Sequence, residues 1–262
     1  MKRITSDANA SYRRWLKLAT QPRAVRELGI SIAEGEHLAL AVLEAGVPID
    51  AALVRAGSGN DRLLARLPAQ APLFELSAAL FDRLGLVERG IGFAVVFAVP
   101  PEASGPAVGD LVYLDGVQEP GNVGALLRVA AAAGVPQVWA GPGTAALWAP
   151  KVLRGAQGAH FGLALREGVN ATELRRHFRG RLCAATATQA TPLWQTDLAV
   201  GALGWVFGAE GQGVSDAALA ACDARVMIPL AAGVESLNVA TAAAVCLFER
   251  QRRRIAAGTN GT

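Results

Sequence analysis

Between residues 111 and 228, short apolar runs alternate with stretches of helical periodicity. The strand-like runs are 111–114, 137–140, 161–165, 182–185, 204–207 and 224–228, and helical stretches fall at 123–133, 171–178 and 216–221. Strands separated by helices are joined by crossovers, so this pattern predicts an α/β fold with a mostly parallel sheet covered on both faces. A sheet buried on both sides needs much apolar material. The chain supplies it, with 52% hydrophobic and only 18% charged residues among 262, which excludes a disordered polypeptide. In such sheets ligands gather at the carboxyl ends of the strands.

The segment 30–100 alternates less regularly. A helix is expected at 37–44, a strand at 51–55, a helix at 61–67, a strand at 73–76, a helix at 78–84 behind Ser77, and a β-rich run at 93–99. The Pro- and Gly-rich stretch 100–106 reads as a linker. The expected organisation is a small α/β domain over 1–104, carrying a basic arm at 1–29, and a second domain over 105–262. The longest apolar runs fall well short of the ~20 residues that cross a bilayer. The amino terminus lacks the apolar stretch of a secretory signal, so a soluble, cytoplasmic protein with no membrane partner is expected.

Charge patterning qualifies a formal net charge of only +3. Of the 25 basic side chains all but Lys2, Lys17 and Lys151 are arginine, whose planar donor fork suits phosphate and guanine edges. Residues 1–30 hold seven basic groups, Arg13 and Arg14 among them, against Asp7 and Glu27; a second basic run, 250–254, closes the last expected helix. Two local patches of this kind leave nucleic acid open as a partner. Cys183, Cys222 and Cys246 are scattered, as are His37, His160 and His177, with no metal-ligand spacing among them. No metal is expected, and each cysteine reads as a small buried apolar residue.

Three strand-to-helix loops concentrate the unusual residues. The first, 114–128, holds Gly116, Gly121 and Gly124, which permit close backbone approach, with Asn122 placed to cap the following helix and Arg128 about two turns into it. A cation among Ala and Leu on such a helix either has a partner or faces a cleft. The second loop, 206–213, packs Gly208, Gly211 and Gly213 around Glu210. It satisfies neither the dinucleotide nor the P-loop spacing, which leaves a nucleotide-dependent oxidoreductase without its fingerprint. In the third, 228–239, Ser236 and Asn238 are natural helix-start residues ahead of an Ala-rich helix.

Taken in order, the three loops resemble the signature motifs of the SpoU branch of the SPOUT RNA methyltransferases. N-x-G-x-x-x-R stands as Asn122, Gly124 and Arg128; G-x-E-G as Gly208, Glu210 and Gly211; and I-P-x-x-G-x-x-x-S-L-N-V as Ile228, Pro229, Gly233 and 236–239. The resemblance spans 111–248. The first half is similar to the substrate-binding domain often fused to this family, through Ala33-Glu34-Gly35 before an amphipathic helix and through 74–81.

The resemblance implies a parallel-sheet SPOUT fold with a deep trefoil knot, a rare exception to unknotted chains. It implies transfer of a methyl group from S-adenosylmethionine to the ribose 2′-hydroxyl of a structured RNA, by a homodimer. Gly208, Ile228 and Leu237 would contact the cofactor, with Thr186 a looser candidate. Arg128 would sit at the reacting hydroxyl, with Asn122, Glu210, Ser236 and Asn238 shaping the site. Whether Arg128 acts as general base or as a fixed charge stays open at this point. Removing a proton from a guanidinium of pKa ~13 at pH 7 costs roughly 8 kcal/mol, whereas a fixed positive charge stabilises a developing alkoxide without that cost.

Lys151, Arg154, Arg13 and Arg14 are the expected RNA contacts. The chain departs from the family pattern at Leu230 in place of the common methionine, at Ala240 in place of a small polar residue, and at 154–159, where a serine hydroxyl is lost. Large-subunit (23S) rRNA is the expected substrate, because minimal tRNA-modifying members lack the fused domain. The alternatives are a tRNA 2′-O-methyltransferase and a non-catalytic rRNA-binding or ribosome-assembly factor.

Overall fold

A computed structural model describes residues 1–86, 90–187 and 189–258. The chain forms two compact units, one of Met1–Pro101 with Trp148–Phe161 and one of Glu102–Leu147 with Gly162–Thr262.

The first unit opens with β1 (Lys2–Ile4), α1 (Ala10–Thr20), α2 (Pro22–Leu28) and β2 (Ile30–Glu34). It continues through α3 (Glu36–Glu44), β3 (Ile49–Arg55), α4 (Asp61–Leu64), β4 (Leu73–Leu76), α5 (Ala78–Arg83) and β5 (Phe93–Ala98). The five strands run in the order β1-β4-β3-β5-β2, with β5 antiparallel to both neighbours.

The expected basic arm is corrected by this arrangement, because residues 2–28 are folded into the unit. β1 pairs in parallel with β4. Asn9 caps α1 by accepting from the backbone N–H groups of Ser11 and Tyr12. Tyr12, Trp15 and Leu18, at i, i+3 and i+6, are buried, and Trp15 packs edge-on against Phe74 at 5.0 Å between centroids. The apolar stripe of α1 therefore anchors the segment, and its arginines occupy the opposite face.

The second unit begins with β6 (Leu111–Asp115), α6 (Pro120–Ala132) and β7 (Gln137–Ala140). The chain then contributes α7 (Pro150–Ala156) to the first unit, where Val152, Leu153 and Ala156 are buried and the helix packs on β2. Ser31 Oγ donates to the Trp148 carbonyl at 2.6 Å, and Trp148 meets Phe97 and Phe161 through its ring. Trp148–Phe161, which reads in sequence as part of the second domain, thus packs with the first unit. The strand expected at 161–165 starts later, because Phe161 belongs to this aromatic cluster.

The remaining elements are β8 (Ala164–Arg166), α8 (Ala171–His177), β9 (Arg181–Ala185), β10 (Thr191–Pro192), β11 (Leu203–Gly208), α9 (Asp216–Ala221), β12 (Ala224–Met227) and α10 (Val239–Ala256). All seven strands of this sheet are parallel, in the order β10-β12-β9-β11-β6-β7-β8.

One face of the sheet packs Leu111, Tyr113 and Val206 against Leu174 of α8 and Ala218 of α9. The alternate residues Trp205 and Phe207 stack 6.1 Å apart on the other face, where α6 and α10 pack together. From β6 the chain moves towards β7, whereas from β11 it moves to β12 on the opposite side. The β6/β11 pair is therefore a topological switch point, where the loops leaving two adjacent strands diverge and leave a crevice.

Candidate active site

Loops leaving β6, β11 and β12 meet at this switch point. The loop after β11 is shaped by an exclusion at Gly208, where a Cβ would lie 2.1–2.2 Å from the backbone of Gly213 and Val214. Real Cβ atoms never approach backbone so closely, so only glycine lets the chain fold back over the end of its own strand. The return is closed by an Ala209–Gly213 bridge and by Gly213 at φ 72°. Ser215 N–H then donates to Asp115 Oδ2 at 2.7 Å, tying the loop to the end of β6.

Glu119, not Asn122, caps α6. Pro120 occupies the first helical position, where a missing N–H costs nothing, and the Glu119 carboxylate accepts from the Asn122 backbone N–H at 2.5 Å. Asn122 therefore sits inside the first turn with its side chain released for other contacts. Its Nδ2 donates to Glu210 Oε1 at 2.6 Å, and its Oδ1 accepts from Asn238 Nδ2 at 2.9 Å. Asn238 in turn caps α10, its Oδ1 accepting from the Ala240 and Thr241 N–H groups. One amide thus links three loops separated by 88 and 116 residues, and both of its ends are fixed.

Of the expected site residues, Asn122, Glu210 and Asn238 are brought together. Arg128 is exposed, six positions further along α6, and among the described residues its guanidinium bonds no carboxylate or carbonyl. Its helix neighbours at i−7, i−4 and i−3 are Gly121, Gly124 and Ala125, so the side chain rises from a strip of small residues. Ser236 lies in the exposed stretch 231–238 after β12, outside the hydrogen-bonded trio.

Ile228 is half-buried where β12 ends, and Leu237 is 37% exposed. Thr186 follows β9, its N–H donating to the Val226 carbonyl at 2.9 Å. Gly208, Thr186 and Ile228 therefore stand at the carboxyl ends of three neighbouring strands. Asp115 and Glu119 belong to the same cluster and escaped the sequence reading. The Glu-Pro pair ahead of a glycine marks a helix start, and could have located Glu119.

Other expected contacts lie elsewhere. Lys151 and Arg154 are exposed on α7 of the first unit, and Arg154 Nη1 donates to the Leu86 carbonyl at 3.1 Å. Arg13 Nε donates to the Asp7 carbonyl, and Arg14 pairs with Asp50 through both carboxylate oxygens at 3.2–3.3 Å. Burial pushes the Cys222 and Cys246 thiols up to about 12, so at neutral pH both remain protonated and poorly nucleophilic.

The model of the SpoU rRNA Methylase family matches residues 110–248. The chain is 32% identical over 249 residues to the 23S rRNA (guanosine(2553)-2′-O)-methyltransferase RlmP of Bacillus subtilis, covering 95% of this chain and 98% of that one. A crystal structure of an RNA 2′-O ribose methyltransferase is 28% identical, with a TM-score of 0.80 over 97% of this chain and 99% of the other. The fold is also that of the SpoU methyltransferase AviRb from Streptomyces viridochromogenes in complex with AdoMet, with a TM-score of 0.85 at 24% identity over 94% of this chain and 98% of that one.

Proposed function

The chain belongs to the SpoU rRNA methylase family, and on that premise we propose that it methylates the ribose 2′-hydroxyl of one nucleotide in 23S rRNA, using S-adenosylmethionine. The observation that carries this reading is the bonded trio Asn122–Glu210–Asn238. It joins the three signature loops at the switch point of the parallel sheet, with an arginine, unpaired among the described residues, on the same helix as Asn122.

The cleft fits the cofactor on two grounds. Gly208 allows the backbone to double back at the end of β11, making a tight concave turn at the strand ends. The 231–238 stretch is exposed throughout, leaving backbone donors and acceptors accessible beside Val234 and Leu237, which are 50% and 37% exposed. Gly208, Ile228 and Leu237, with Thr186 beside them, would hold the cofactor through such groups. When bound it supplies an electrophilic methyl group on a sulfonium centre.

The protein's own part is to position the ribose and to favour negative charge on the attacking oxygen. Arg128 supplies a fixed cation with planar donors, suited both to the target phosphate and to the developing alkoxide. The bonded trio locks the loops around it, so that Arg128 and the cofactor loops keep one spacing. Ser236, exposed two residues before Asn238, would meet the ribose. Lys151, Arg154, Arg13 and Arg14 remain the proposed phosphate contacts outside the cleft.

Two finer features belong to the same reading. The carboxyl-terminal segment threads into a trefoil knot; the insertion of β11 between β6 and β9, both earlier in the chain, supports this. The active form is a homodimer, as the exposed apolar side chains Phe248 and Ile255 on α10 suggest. Among the described residues no helix is long and apolar enough to cross a membrane, and we place the enzyme in the cytoplasm with its rRNA.

A calorimetric titration with S-adenosylhomocysteine tests the site. The wild-type chain binds it stoichiometrically, and Gly208→Ala loses binding because the added Cβ displaces the Gly213–Val214 backbone. Retention of wild-type affinity in Gly208→Ala would remove Gly208 from the cofactor site. Absence of binding by the wild-type chain would favour a non-catalytic RNA-binding factor.

A further inference from the structure

The amino ends of the catalytic sheet, opposite the transfer site, carry a concentration of arginine that this mechanism does not use. Four arginines fall within residues 175–181, at the end of α8 and the start of β9, and four more within 250–254, at the end of α10. The two runs meet on one loop. Arg181 Nη1 donates to the Asp197 carbonyl at 2.9 Å, while Arg253 Nη1 donates to the adjacent Thr196 carbonyl at 2.5 Å.

Carboxylates at this end do not balance the cations. Asp223 is paired with Arg175, Glu249 with Arg252 and Arg253, and Asp110 with Arg250 and Arg254. Asp197 Oδ1 accepts from the Ala199 N–H within its own turn. Among the described residues the eight arginines of the two runs face four carboxylates, a surplus larger than the +3 of the whole chain. Arg176 and Arg179 are exposed. Arg176 donates only to the neighbouring His177 ring, and Arg179 bonds no group among the described residues.

An aromatic ring completes the patch. Trp194, in the turn whose carbonyl accepts from Arg253 at 2.9 Å, is 52% exposed. A half-exposed indole among guanidinium groups offers a stacking platform beside a row of phosphate donors.

We propose that this face is a second RNA-binding surface. It holds the phosphate backbone of a stretch of the substrate RNA outside the methylated nucleotide, and one unpaired base stacks on Trp194. Five-residue strands separate it from the transfer site by about 15 Å, so it adds affinity and register without touching the reacting groups. The proposal rests on the reading of the chain as an RNA methyltransferase.

The test compares wild type, the Arg176→Gln/Arg179→Gln double variant and Trp194→Ala on an unmodified 23S rRNA transcript. The double variant should keep S-adenosylhomocysteine affinity, melting temperature and kcat at saturating RNA. Its KM for RNA should rise about tenfold, and the slope of log affinity against log salt should shrink by about two. Trp194→Ala should raise KM about tenfold with the salt slope unchanged. Methylation by wild type with KM and salt slope unaltered in both variants overturns the surface while leaving the activity in place, and would assign the patch to a partner other than RNA. Failure of the wild-type chain to bind RNA at all overturns both readings.

Discussion

Replacing Arg128 with alanine leaves S-adenosylhomocysteine affinity within about twofold of wild type and lowers methyl transfer by at least about a hundredfold, the scale on which single charge-stabilising donors act. Three features of the side chain lead to this expectation. It stands on α6, whose first turn is held by Glu119 and by the Asn122–Glu210 bond. It is exposed, and among the described residues it has no structural partner, so removing it should change stability by no more than about 0.5 kcal/mol. The loss therefore reports chemistry and not folding.

Arg128→Lys separates two roles for this residue. Lysine keeps the charge but not the planar fork, so a purely electrostatic role predicts partial recovery, and bidentate positioning of the phosphate predicts little. Single-turnover transfer from labelled S-adenosylmethionine measures both variants, and wild-type turnover in Arg128→Ala would remove the residue from the reaction.

The second large effect concerns stability. Asp110, just before β6, and Arg250 on α10 form an ion pair at 3.1 Å whose side chains are 10% and 4% exposed. Asp110 Oδ1 also accepts from the Leu203 N–H at 2.9 Å, and Arg250 donates to the Leu198 and Gly201 carbonyls. The pair therefore ties the last helix to the starts of both central strands. Asp110→Ala leaves a guanidinium buried without its main counter-charge, which costs about 3–5 kcal/mol, or roughly 10 °C in melting temperature for a chain of this size.

Combining Asp110→Ala with Arg250→Met removes both charges and should recover part of that loss, because a paired apolar replacement avoids the stranded ion. Thermal and urea unfolding of the two variants measure this coupling. A loss below about 1 kcal/mol for Asp110→Ala would show that water, not Asp110, meets the charge of Arg250.

The site was legible in the sequence where its constraint is local. Gly208 is needed because the chain folds back too tightly for a Cβ, and Gly211 and Gly213 because their φ is positive, and both demands leave a signature in composition. Asn122, Glu210 and Asn238 could be named singly, but their mutual hydrogen bonds depend on β11 lying beside β6, and strand order is not written in periodicity. Asn122 looked like a cap because Asn is a good one; Pro120 shifts the helix start three residues earlier and hands the cap to Glu119.

The first 29 residues read as a basic arm because seven charges obscured the apolar triplet Tyr12, Trp15 and Leu18. The return of Trp148–Phe161 to the first unit had no local signal. It depends on long-range contacts such as Ser31 with the Trp148 carbonyl.

The most direct measurement of the central claim is mass mapping of 23S rRNA from an unmodified strain after incubation with the enzyme and S-adenosylmethionine. The account predicts a single added methyl on a ribose 2′-oxygen, resistant to alkaline cleavage at that linkage and absent when Arg128→Ala replaces wild type. A methyl group on a base, or transfer undiminished in that variant, would contradict it.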